Sequence, residues 1–303
     1  MKMGLSKEVE VSVWVPCHVT CFFEVRKHES ALETGSRGAG LNLDVGVETH
    51  VRLSFSEEVE VDGGNEVSRD VVERMLRCLN VKARVEVSHV SEVPIGVGYG
   101  ISGATALGAA LALSIALNNA MTVLQAGAIA HVVEVEHLTG LGDVIAQIHG
   151  GIEIRIKEGA PGIGIIDWIP YDQGLRVIAV TLRSLSTREV LETKMEVINK
   201  YGLKALLNLL KRPNVKELMD NARMFAERVG FMNGDLKDLA KLMIEEGAIG
   251  ASVKKGVFYA LTHKDSVNKL RDVLASQLKG KQIITCRISS HGPKIMRVEG
   301  IQP

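Results

Sequence analysis

Aromatic residues make up only 4% of this 303-residue chain, too few for the stacking platforms that hold single-stranded nucleic acid. No charge surplus exists: Lys plus Arg and Asp plus Glu both count 36, so nothing global draws the chain to nucleic acid or to an anionic membrane. No apolar run is long enough to cross a bilayer. The longest, around Ala104–Leu117, is short and carries glycine and serine. Met1–Glu10 is polar and mixed in charge, without the basic-then-apolar pattern of a signal segment. A soluble, cytoplasmic protein is the expectation. The four cysteines, Cys17, Cys21, Cys78 and Cys286, form no C-x-x-C and no zinc spacing. Cys17 and Cys21 are too far apart along a strand for a relaxed disulfide, so four thiols are expected. H-E-x-x-H and G-x-S-x-G are also missing, which removes the simplest zinc-hydrolase and serine-nucleophile readings.

What the chain does have is a glycine-dense stretch, Pro94 to Gly103, that runs straight into the alanine- and leucine-rich segment Leu107–Leu117. Glycines allow close backbone approach and positive φ. The first turn of a helix adds unpaired N–H groups and the positive end of its dipole. Together they suit a polyanion, and Ser102 adds a hydroxyl for phosphate or metal. Gly98, Gly100 and Gly103 fit G-x-G-x-x-G, but a second helical stretch follows where a dinucleotide fold needs a strand and an acid about 20 residues on. A Walker P-loop needs Lys-Ser or Lys-Thr after its last glycine; Ala104-Thr105 stands there instead.

Strands and helices alternate in the first half. Glu10–Val15, Val45–Phe55, Ala83–His89, Gly151–Lys157 and Ile163–Trp168 read as strands; Asn65–Leu79, Gly103–Leu117 and Val123–Leu138 read as helices, the last apolar around most of its circumference and so expected to be central. Turn clusters at Pro161-Gly162 and Pro170–Gly174 place a boundary near 172. Beyond it come a strand at Leu175–Leu182, helices at Thr187–Tyr201, Leu203–Leu210, Val215–Val229 and Leu236–Glu246, a glycine-rich stretch Gly247–Gly256, then strand, helix and strand to Ile288. That order suits an α+β unit.

The loop resembles the phosphate motif of the GHMP kinases, Pro-x-x-x-Gly-Leu-Gly-Ser-Ser-Ala-Ala. This chain reads Pro94, Gly98, Tyr99, Gly100, Ile101, Ser102, Gly103 and Ala104 there, so only Ser102 keeps the serine's role. Pro16-x-His18-x-Thr20-x-Phe22-Phe23, Gly35-Ser-Arg-Gly38-Ala-Gly40, Gly140-Leu-Gly142-Asp143-Val and Gly150-Gly151 resemble the archaeal pantoate kinase branch. Cys17 and Cys21 stand where that branch usually has glycine. The resemblance implies an α+β, two-domain GHMP kinase fold. An N-terminal α/β domain with a mixed sheet would span 1–172, and a C-terminal ferredoxin-like α+β domain 173–303.

The same resemblance implies roles. Pro94, Gly96, Gly98, Gly100, Ser102 and Gly103 would hold the phosphates of ATP. Asp143 would act at the acceptor hydroxyl as base or electrostatic orienter, the alternative being an N-cap for the segment after it. Glu134 is an acid on an otherwise apolar helix, costly unless paired or metal-bound, and would hold Mg²⁺ with Ser102, the alternative being a solvated helix edge with Glu136 as the functional acid. His131 shares the face of Glu134 and either lines the acceptor pocket or packs as a satisfied imidazole. Arg155 alternates with Glu153 and Lys157, which by itself reads as a wet strand face; the resemblance makes it a clamp for the acceptor's carboxylate. Ser36 meets the acceptor or turns the chain, and Lys254-Lys255 contact a phosphate or face water. The implied activity is ATP-dependent phosphorylation of the primary hydroxyl of pantoate for coenzyme A synthesis. Homoserine or mevalonate kinases and a non-catalytic sensor on the same fold are the alternatives. No nucleic-acid or membrane partner is implied, and a homodimer is left open.

Overall fold

The computed structural model describes residues 8–94, 98–182 and 187–300, with the side chains of 187–193 left aside. Among these residues the first part of the chain runs β1 (Val9–Arg26), β2 (Gly35–Phe55), β3 (Glu60–Gly63), α1 (Glu66–Leu79), β4 (Ala83–Ser91), α2 (Ile101–Ala116), α3 (Val123–Glu136), α4 (Asp143–His149), β5 (Ile152–Lys157) and β6 (Ile165–Trp168). The remainder runs β7 (Leu175–Thr181), α5 (Thr187–Lys211), α6 (Val215–Val229), α7 (Asp235–Glu245), β8 (Gly250–Lys254), β9 (Val257–His263), α8 (Val267–Gln277), β10 (Ile283–Cys286) and β11 (Lys294–Glu299). The first sheet has the order β11-β1-β2-β4-β3, with β5 and β6 branching from the early half of β2. It is mixed because β3 lies parallel to β4 while the other pairs are antiparallel. The second sheet, β10-β7-β9-β8, is antiparallel and has the ferredoxin-like order.

β1 and β2 are much longer than their alternation predicts, at 18 and 21 residues. Bulges at Pro16/Cys17 and between Thr20 and Phe22 break the period of two, so the pattern loses phase where the strand merely bends. Gly35–Gly40, left open between meeting the acceptor and turning the chain, begins β2. A side chain at Gly40 would overlap the imidazole of His18, and its Cβ would stand 2.8 Å from Glu153 Oε1. The glycine is there for close approach, not for turning.

The buried helix is α2. Thirteen of its sixteen residues are buried, most of them alanine, glycine or leucine, so it packs closely on β1, β2, α1 and α3. The expectation of a central α3 is corrected: Val123 and Leu124 are 47% and 50% exposed. α1 is entered through a capping box between Asn65 and Ser68.

α5 is one helix where two were expected. Gly202 lies in its interior because a Cβ there would collide with the carbonyl of Phe23 on β1. Asn199 Oδ1 accepts a 2.8 Å bond from Val25 N, and the Phe23 and Phe225 rings pack 5.6 Å apart, so α5 and α6 close over the end of β1. The glycine-rich stretch 247–256 contains β8. β11 also returns to the first sheet, pairing with β1. All four cysteines are free thiols, with Cys78 exposed and the others buried. Among the described residues, no helix is long and apolar enough to cross a membrane.

Candidate functional site

The site forms where α2, α3, α4 and the β8–β9 hairpin converge. Gly100, in the left-handed region at φ 67°, starts α2. No side chain caps that helix start and no acid occupies its first turn, so its N–H groups stay open to an anion. Gln147 Nε2 donates to Gly100 O at 2.8 Å and to Pro16 O at 3.0 Å, and His18 N donates to Tyr99 O at 2.8 Å. The loop is thus anchored to β1 and α4. Pro94, Gly98, Gly100, Ser102 and Gly103 stand in or beside it; Gly96 lies outside the described residues.

Glu134 is 1% exposed. Its Oε1 accepts from the Ser102 hydroxyl and, at 2.6 Å, from Thr139 Oγ1. Burial pushes its carboxyl up to about 7 despite those two donors. Oε2 has no hydrogen-bond partner among the described residues, and glycine at 140 makes room for it, since a side chain there would overlap this oxygen. A buried carboxylate oxygen left open beside a hydroxyl and a helix N-terminus suits Mg²⁺, which takes one or two carboxylates and leaves its other positions to water and phosphate. Among the described residues no group of three or more His, Cys, Asp or Glu could hold a metal ion alone.

Asp143 is the first residue of α4, with Gly142 at the cap position, so it is not the N-cap. Its Oδ1 lies 2.6 Å from His18 Nδ1 and 3.6 Å from Lys254 Nζ. Burial would raise this carboxyl, but Lys254, His18 and Lys255 together outweigh it and hold it well below the usual carboxylate range. Behind it, His18 Nε2 is 3.0 Å from Glu153 Oε1, and the same oxygen accepts from Arg155 Nη1. Glu153 and Arg155 are 0% and 1% exposed, so they are no wet strand face. Arg155 Nε has no hydrogen-bond partner among the described residues and stands behind Gly142 and Ser36: a Cβ at Gly142 would lie 2.9 Å from that nitrogen and 2.5 Å from Ser36 Oγ.

A narrow cleft of about 30 Å³ is lined by Thr20, Phe23, Ser36, Gly140–Asp143, Lys254 and Lys255. Larger hollows of about 510 and 620 Å³ lie elsewhere, on the α1–α3 outer face and on the exposed sheet face. Neither gathers buried charge, and the second is lined by surface pairs such as Arg52 with Glu10 and Glu86. Chemistry, not volume, marks the site.

Ser102, Glu134, Asp143, Ser36 and Arg155 are therefore brought together. His131 is not among the cleft-lining residues. Its Nε2 bonds Thr34 O at 2.8 Å and the buried ring holds the segment entering β2, as a satisfied imidazole would; Ser102, Glu134 and Arg155 likewise stand behind the cleft rather than line it. Glu153 carries no motif that would find it alone, and His18 stood in a motif without a role of its own; for Lys254 and Lys255 the sequence left open a phosphate contact or a solvated face, and their burial beside Asp143 comes from the fold.

Residues 65–151 match the GHMP kinases N terminal domain. Over 305 aligned residues, 96% of this chain and 99% of the relative, the chain is 36% identical to the pantoate kinase of Thermococcus kodakarensis. A solved structure described as a phosphotransferase related to the CoA biosynthesis pathway superposes with a TM-score of 0.83, at 33% identity and covering 95% of this chain and 99% of that one. The homoserine kinase of Cytophaga hutchinsonii shares the fold at a TM-score of 0.72 and 16% identity, over 95% and 97% of the two chains.

Proposed function

Since the chain belongs to the pantoate kinases of the GHMP superfamily, we propose that it moves the γ-phosphoryl group of ATP onto the primary hydroxyl of (R)-pantoate, giving (R)-4-phosphopantoate and ADP. The observation that carries the reading is the convergence of Ser102, Glu134 and Asp143 beside an uncapped helix N-terminus, in a chain similar to pantoate kinase over nearly its whole length.

The phosphates lie along the loop and the first turn of α2, where open N–H groups face them. Glu134 and Ser102 would hold Mg²⁺, which would supply charge neutralisation on the phosphates. Asp143 meets the acceptor hydroxyl. A carboxyl held so far below its usual range is a weak base, so its part is to orient the hydroxyl and receive its proton late, as the new bond forms. A loose phosphoryl-transfer transition state asks little more of it. Ser36 and the buried guanidinium of Arg155 recognise the acceptor's carboxylate; the open Nε supports this assignment. Residues 1–172 supply most of this machinery, and 173–303 supply the lysine hairpin. The reaction belongs in the cytoplasm, where ATP and pantoate meet.

The test is ADP release from ATP and Mg²⁺ with pantoate, beside pantothenate, homoserine and mevalonate. Release with pantoate alone upholds the assignment. Release with homoserine or mevalonate alone keeps the phosphate machinery and discards the Arg155 clamp. Silence with all four, while ATP still binds, moves a non-catalytic sensor to the front.

A further inference from the structure

The β8–β9 hairpin turns in two residues. Lys254 pairs with Val257, leaving Lys255 and Gly256 as the loop, both at positive φ (46° and 91°). Such turns favour Asn-Gly or Asp-Gly, and a lysine in the left-handed region is strained. Strain held at a site is a pointer to function. Here it has a visible effect. Successive side chains on a strand point to opposite faces, yet Lys254 and Lys255 both line the cleft beside Asp143. Lys255 follows the strand in the left-handed region, and from there it lines the same cleft as its neighbour.

Both lysines are buried, at 5% and 8% exposure, and burying two adjacent cations is costly unless anions await them. Lys254 is matched by Asp143 at 3.6 Å. Lys255 lies in the field of both Asp143 and Glu134. Those two acids mark the ends of the reaction path under the function proposed above, on which this inference rests: one meets the hydroxyl, the other the metal and phosphates. A group in transit passes between them.

We propose that Lys255 is a catalytic residue whose ammonium donates to the phosphoryl group in flight, while Lys254 is a positioning residue that holds Asp143 as a carboxylate. The bond from the γ-phosphorus to the ADP oxygen breaks and the bond to the acceptor oxygen forms. The hydroxyl proton passes to Asp143, the electron pair leaves on ADP, and Lys255 keeps its proton throughout. Its contribution is largest when charge spreads over the equatorial oxygens.

The strained turn supplies a test that separates chemistry from folding. Lys255→Asn places at this position a residue that tolerates the left-handed conformation, so its thermal midpoint should equal or exceed that of the parent. Its kcat for pantoate-dependent ADP release should fall about 100- to 1,000-fold, with the KM for pantoate within about threefold. Lys255→Gln, which keeps the stem and loses the charge, should show the same kcat loss and stands in if Lys255→Asn folds poorly. A kcat within threefold of the parent in a folded variant overturns the proposal. So does a loss confined to KM. A parent that releases no ADP with pantoate indicts the kinase reading instead, which keeps the two failures apart.

Discussion

His18 and Asp143 are 125 residues apart in the chain and 2.6 Å apart in the fold, and the other nitrogen of the same imidazole lies 3.0 Å from Glu153. The ring bridges two carboxylates and fixes the rotamer of the one that opens on the cleft. Asp143→Asn should keep ATP affinity within about threefold and lose kcat by about 100- to 10,000-fold, measured by calorimetry and ADP release. His18→Gln removes the bridge but not the carboxylate. It should cost kcat about 10- to 100-fold, the range seen when the partner that orients a functional group is lost. If the two variants fall equally, His18 does more than orient.

Glu134→Gln leaves the shape of the buried side chain and removes its charge. The Mg²⁺ concentration for half-maximal rate should rise at least about tenfold, because the amide oxygen is a poorer ligand for a hard cation. The metal-free variant should melt no lower than the parent at pH 8, since burial opposes the charge that the parent carries there. A Mg²⁺ titration indistinguishable from the parent's would remove Glu134 from the metal site.

His89 links acid to unfolding. Its Nδ1 lies 2.9 Å from Thr49 Oγ1 and its Nε2 3.0 Å from Ser68 Oγ, and burial followed by the nearby His50 lowers its pKa from 6.5 to about 4. Above pH 6.5 neither folded nor unfolded chain holds the proton. Between 6.5 and 4 only the unfolded chain takes it up, so stability falls with pH through that window and levels off below it. The loss is about 3 kcal/mol at most. Urea unfolding at pH 7, 5.5 and 4.5 should show it, and His89→Gln should flatten the slope in that interval.

Gly202→Ala should be among the most damaging small substitutions. A methyl group there would strike the backbone of β1, which cannot rotate away as a flexible side chain can. Overpacking of this kind costs about 1–3 kcal/mol or more. Denaturant titration should place the variant's midpoint well below the parent's, and a midpoint unchanged within error would mean that α5 slides without cost.

How much of this could be read beforehand varies with the range of the interaction. The start of α1 at Asn65 follows from local chemistry and falls as expected, and α2 opens at Ile101, two residues before the expected Gly103, still within the glycine-dense turn. Asp143 and Glu134 stood out through their motif context. His18 and Glu153 did not, because their meaning arises from a pairing across 135 residues that no window of sequence contains. Alternation in Ile152–Lys157 showed that Glu153 and Arg155 share a face, but not that the face is covered. Lys255 reads as a phosphate contact or a solvated face, but the turn it makes was hidden for the opposite reason: a two-residue turn of Lys-Gly lacks the asparagine that announces such turns.

The outer edge of β1 is covered by two segments that both come much later in the chain. β11 pairs with Glu10–Trp14, and Asn199 on α5 takes up the amide of Val25. On a ribosome adding about 5–20 residues per second, roughly 15–60 s separate Glu10 from its partner Glu299. During that interval a nascent chain carries a valine-rich strand with an open flank, a template for pairing with its neighbours on the same messenger. Expression yield should therefore respond to translation speed and to chaperone supply more than the finished protein's stability would suggest.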